Sequence, residues 1–258
     1  MGKKKEKKFN EKKFIIAVLF IVVLVYVYMK VVVSSVTAPF NEVSTNTVSK
    51  SSGYNIIKAD SNMNYSGVGQ EKVSDKDGYF TTFTTSDKNK KTYIDYKQGG
   101  NASWSQNKYW GGTMNENGCG ITVMSTILSG YNKHHNPENL RKKYQPVLNY
   151  DNMSSELSSQ YGIRNSNFYY DAVHLSSENI ISHLKSNRPV IICVWNKPKN
   201  NRWTTSSHYM SLLACDDHNI VYVANPNGGE NDSKSSGWYN IDEVTPYIAK
   251  ALFIESYT

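Results

Sequence analysis

Residues 208–225 read HYMSLLACDDHNIVYVAN. Two apolar runs, 208–215 and 220–225, are rich in β-branched and aromatic residues and flank the polar quartet Asp216–Asn219, the pattern of an antiparallel hairpin. PVIICVW (189–195) and ALFIESY (251–257) have the same character. Upstream the period changes. In CGITVMSTILSG (119–130), Ile121, Met124, Ile127 and Leu128 share one helical face, and Gly130 stops the run. Asn136-Pro137-Glu138 caps a second helix running to about Tyr144. Met153–Tyr161 reads as a third helix, and Ser176 or Ser177 with Glu178 opens a fourth whose inner side holds Ile180, Ile181 and Leu184. Helices followed by an antiparallel sheet predict an α+β body with a helical N-terminal half and a C-terminal sheet.

Working outward, the 258-residue chain has four expected segments. Residues 1–13 hold seven Lys against Glu6 and Glu11 and form a basic tail. Phe14 to Met29 carries no charge, and Lys30 with Val31–Val33 extends it to residue 33, long enough to cross a bilayer as a signal anchor. A cleavable signal peptide competes, because Val36-Thr37-Ala38 resembles a cleavage site; Pro39 and the length of the run favour retention. The lysines keep the tail cytoplasmic and place the rest outside the cell, at the cell membrane. Residues 34–91, rich in Ser, Thr, Asn, Lys and Gly, read as a polar linker that cannot fold alone, although Tyr79-Phe80 and Tyr93-Ile94 are able to pack onto the body. Residues 92–258 form the body. Of the net charge of +7, only +1 lies beyond residue 30, so the high pI gives no reason to expect nucleic acid as a partner.

The chemistry concentrates at Gly118-Cys119-Gly120. A thiol at a helix start meets the positive end of the dipole and unpaired first-turn N–H groups, which favour thiolate. The flanking glycines would let a substrate backbone approach. Cys193 and Cys215 lie inside apolar strand runs and read as buried residues. Continuing the chain back through the loop sets Cys193 opposite Met210, too far from Cys215 for a disulfide, so free thiols are expected. A nucleophilic thiol needs a base held by a third group. His134, His135, His174, His183 and His218 lie in turns, between segments or on a helix and read as solvated or structural. His208 starts an apolar strand, and the hairpin brings it to Asn225 or its near neighbours, where an amide oxygen can orient the ring. No metal is expected, because no His/Cys pair has ligand spacing. No glycine loop suits a phosphate, and no cofactor is implied.

YKQGGNASWSQNKYWGGTMNENGCGIT followed by SSHYMSLLACDDHNIVYVANPNGG resembles the bacteriocin-processing (double-glycine) peptidase-like family of papain-fold cysteine peptidases, over roughly 93–258. The resemblance implies a papain-like fold with Cys119 as nucleophile, His208 as base and then acid, and Asn225 orienting the ring. It further implies a glutamine in the oxyanion hole beside the Cys119 N–H, with Gln98 fitting best and Gln106 in reserve. Many members carry Asp at the position of Asn225. The expected protein is a membrane-anchored cysteine peptidase of a Gram-positive bacterium, with a monomeric body, cleaving a peptide, isopeptide or cell-wall peptide bond. A catalytically weak peptide-binding module and a peptidoglycan cross-link hydrolase are the alternatives. Trp104, Trp110, Trp195, Trp203 and Trp238 are divided between substrate subsites and core.

Overall fold

A computed structural model of the chain describes residues 67–68, 72–75, 78–85, 90–199, 201–227 and 236–257. The expected basic tail and signal anchor lie outside the described residues. Among the described residues, no helix is long and apolar enough to cross a membrane.

The described residues begin with four strands, β1 (Gly67–Val68), β2 (Lys72–Asp75), β3 (Gly78–Thr85) and β4 (Thr92–Asp95), in which β1, β2 and β4 each pair antiparallel with β3. β1 to β3 lie within the segment read as a polar linker to residue 91. Phe83 is buried and stacks on Tyr222, with ring centroids 4.0 Å apart, and meets Trp238 edge-on at 5.8 Å. A run as polar as TTFTT stays ordered because its one large apolar side chain enters the core of the body.

A short hairpin, β5 (Lys108–Tyr109) and β6 (Gly112–Thr113), leads into the four-residue helix α1 (Met114–Asn117), closed by a capping box between Thr113 and Glu116. Helix α2 (Cys119–Ser129) follows with Gly118 as its N-cap. It is buried on every side and not only on the predicted apolar face. Its polar residues are satisfied locally: Thr122 Oγ1 donates to Gly118 O (2.9 Å) and Ser129 Oγ to Thr126 O (2.7 Å). Asn136 caps α3 (Pro137–Lys143) by accepting from the Asn139 N–H, and α4 (Met153–Tyr161) ends on Gly162 at φ +68°, a left-handed position that suits glycine. Ser176 caps α5 (Ser177–Leu184).

The second sheet is six-stranded and antiparallel throughout, in the order β11–β10–β9–β8–β12–β7. Its members are β7 (Ile163–Asn165), β8 (Val190–Trp195), β9 (Ser207–Cys215), β10 (Ile220–Ala224), β11 (Gly237–Asn240) and β12 (Ile248–Tyr257). Both faces are covered, which is why its strands read as continuous apolar runs. Ile191, Cys193, Tyr209 and Leu213 belong to one core, shared with α2 and Phe83; Val190, Ile192, Val194, Met210 and Leu212 belong to another, shared with α5 and Trp203. Cys193 pairs with Tyr209, one residue from the predicted Met210. The predicted register was displaced because the loop closes on Trp195–Ser207 and not on Trp195–His208. All three cysteines are free.

Candidate active site

The site forms where the start of α2 meets the start of β9. Helix α2 begins at Cys119 because Gly118 ends α1, donating its N–H to Met114 O (2.8 Å), and accepts the first α2 bond from the Thr122 N–H (2.9 Å). Both flanking glycines are required by packing. A Cβ on Gly118 would lie 2.4 Å from the Met114 carbonyl oxygen, and one on Gly120 would lie 2.4 Å from the Tyr150 ring.

Cys119 is half-buried, while the rest of α2 is fully buried. Its sulfur accepts from the backbone N–H of Tyr209, the residue after His208, and from the N–H groups of Gly120 and of Cys119 itself. Burial pushes the thiol up and outweighs these three donors. Burial thus opposes the lowering expected from the helix start.

His208 is 5 % exposed and Asn225 fully buried. His208 Nε2 donates to Asn225 Oδ1 at 2.7 Å. An amide oxygen only accepts, so the proton sits on Nε2 and Nδ1 is the basic nitrogen. The contact is diagonal: Ala224 pairs with Ser211, which puts Asn225 in line with Met210, two residues from His208. Oδ1 also accepts from the Asn227 N–H (3.0 Å), and the Asn225 N–H donates to Ser236 Oγ (2.8 Å). Lys97 extends this support. Its ammonium donates to Asn225 O (2.7 Å), Ser236 Oγ (2.7 Å) and the buried carboxylate of Asp95 (2.9 Å). Nothing in the sequence marked Lys97, because its partners lie more than 120 residues away apart from Asp95.

Gln98 is buried beside this cluster. Its N–H donates to Pro226 O (2.9 Å), and Nε2 donates to Asn115 O (2.5 Å) in α1. One amide hydrogen is thus committed to the segment leading to Cys119. Gln106 is exposed and bonds only its neighbour Ser105, at 3.4 Å. Of the tryptophans, Trp104, Trp203 and Trp238 are in the core, and Trp110 and Trp195 are exposed. His183 is buried with its ring nitrogen on Ile254 O, and His174 pairs with Asp171. Among the described residues, no group of three or more His, Cys, Asp or Glu side chains is gathered for a metal ion.

The family profile that fits this arrangement spans residues 102–247, more than half the chain and all of the segment from α1 to β11. The chain belongs to the Peptidase_C39 like family. It is accordingly a cysteine peptidase of the C39 type, a hydrolase with helices and an antiparallel sheet. A crystal structure described as that of a C39-like peptidase from Bacillus anthracis is similar at 13 % identity and a TM-score of 0.41, covering 55 % of this chain and 90 % of that one. No curated protein matches the C39-like chain.

Proposed function

We propose that this C39-type peptidase hydrolyses peptide bonds with Cys119 as nucleophile, His208 as base and acid, Asn225 as the group that orients the imidazole, and Gln98 with the Cys119 N–H as the oxyanion hole. The observation that carries the reading is the His208–Asn225 bond at the start of β9, one residue from the amide that meets the Cys119 sulfur. His208 Nδ1 takes the thiol proton as the sulfur bonds to the scissile carbonyl carbon, and the oxyanion forms against the donors. Collapse breaks the C–N bond, and the imidazolium gives its proton to the departing amine. Water, deprotonated by the same nitrogen, attacks the acyl-thioester and returns the acid and the thiol.

The membrane anchor at 14–33 and an extracellular body belong to this proposal and rest on the sequence. So do a monomeric body and a peptide or protein substrate, with cell-wall peptide within the class. The test is hydrolysis of a fluorogenic peptide library by the full chain. Cys119→Ser and His208→Ala should reduce turnover by at least about 10³-fold, and Asn225→Ala less. Hydrolysis that survives Cys119→Ser would overturn the assignment. A reporter fused after residue 91 should be active only outside the cell; activity in the cytoplasm would refute the orientation.

A further inference from the structure

Beside Cys119 the surface is aromatic and ends in a cation. Trp110, 38 % exposed, meets Tyr150 edge-on with centroids 5.8 Å apart; Tyr150 tilts against Tyr209 at 5.1 Å; Tyr209 meets Phe168 at 6.3 Å. Two of these rings border the nucleophile. Tyr150 occupies the space that a side chain at Gly120 would take, and Tyr209 supplies the amide that meets the sulfur. At the far end stands Lys250, which β12 pairs with Cys193. Its Nζ lies 4.4 Å from the Phe168 centroid, 5.7 Å from Tyr209 and 5.8 Å from Tyr170.

These rings hold the ammonium in place, and the Lys250 side chain is only 12 % exposed. Among the described residues, its one anionic partner is Asp151, at 3.2 Å, and the Asp151 side chain is 77 % exposed. An ion pair with one member so open to water is weak, and a second carboxylate can replace it with little loss. An ammonium carries three donors, so it can also accept the newcomer before the first partner leaves.

We propose that Lys250 is a specificity-determining residue of the peptidase. It binds a carboxylate of the substrate peptide, apolar residues next to that carboxylate lie along the aromatic run, and Asp151 is the internal anion that the substrate displaces. The proposal rests on the peptidase reading above. Fixed cations select their partners by charge more than by area, and here the cation stands at the far end of the aromatic run that begins beside the thiol.

The test uses the full chain and peptides matched in pairs, Glu against Gln at each position around one apolar residue, each with a free and an amidated C-terminus. Wild type should prefer Glu by about tenfold in kcat/KM, carried by KM. A preference that follows the free C-terminus and not the Glu would assign the same subsite to a terminal carboxylate. Lys250→Met should abolish the preference, Lys250→Arg should keep it, and Asp151→Asn should increase it. A merely structural ion pair is broken by Lys250→Met and Asp151→Asn alike, so equal losses on every peptide would overturn the proposal. Cleavage by wild type without discrimination overturns the subsite alone. No cleavage of any peptide removes the peptidase reading and the subsite with it. Should Lys250→Met fail to fold, the opposed Lys250→Arg and Asp151→Asn results still decide.

Discussion

Gly118 and Gly120 show how closely single atoms govern the nucleophile. A methyl group at Gly118 would strike the Met114 carbonyl oxygen, a backbone atom that moves only with α1, whereas one at Gly120 would strike the Tyr150 ring, which can swing. Gly118→Ala should therefore cost about 1–3 kcal/mol of stability, measured by urea denaturation. Gly120→Ala should cost less stability and lower turnover by displacing Tyr150. Cys119, His208 and Asn225 were legible in the sequence because each stands at the end of an element, where residue type and position together suggest chemistry. The reason for the glycines was not legible, since Tyr150 arrives from 30 residues downstream. The burial that raises the Cys119 thiol was not legible either, since the helix start is a local feature and burial depends on the whole fold.

Elements that carry their own end signals were the most readable. The Asn136 and Ser176 caps lie within one turn of the helices they bound. The short strands β7 and β11 were not expected, because three or four residues define no period; their partners do. The segment after β4 gives this scale its prediction. Lys97 joins Asp95 to the loop that carries Asn225, and Asp95 is 1 % exposed. Lys97→Met strands a buried carboxylate and should cost about 3 kcal/mol. The double variant Asp95→Asn/Lys97→Met should recover part of that loss in the same urea titration. Because Asn225 loses a backbone anchor in both, turnover should remain low even where stability returns.

At the scale of the whole molecule, the first sheet is part of the folded body, and Phe83→Ala should destabilise it by about 3–5 kcal/mol, read by thermal unfolding. Composition averages over a window, so it does not show that one well-placed ring lets a polar strand dock. Acid should unfold the protein in two overlapping stages. Burial lowers the affinity of His183 for a proton, so the unfolded chain binds it first and stability falls as pH drops below about 6.5. The Arg141 guanidinium holds Glu138 down to about 2, so its contribution, present above 4.5, is lost between there and about 2. His183→Gln should flatten the first stage of a stability–pH curve and leave the second.

Strand β12 lies between β8 and β7, inside the sheet and not at its margin. Everything that performs the proposed chemistry is translated before residue 248, yet Cys193 and the segment beside His208 have an open flank until that later strand slides into place. Loss of that strand would leave the flank of β8 unpaired and open the buried Cys193 thiol to alkylating reagents.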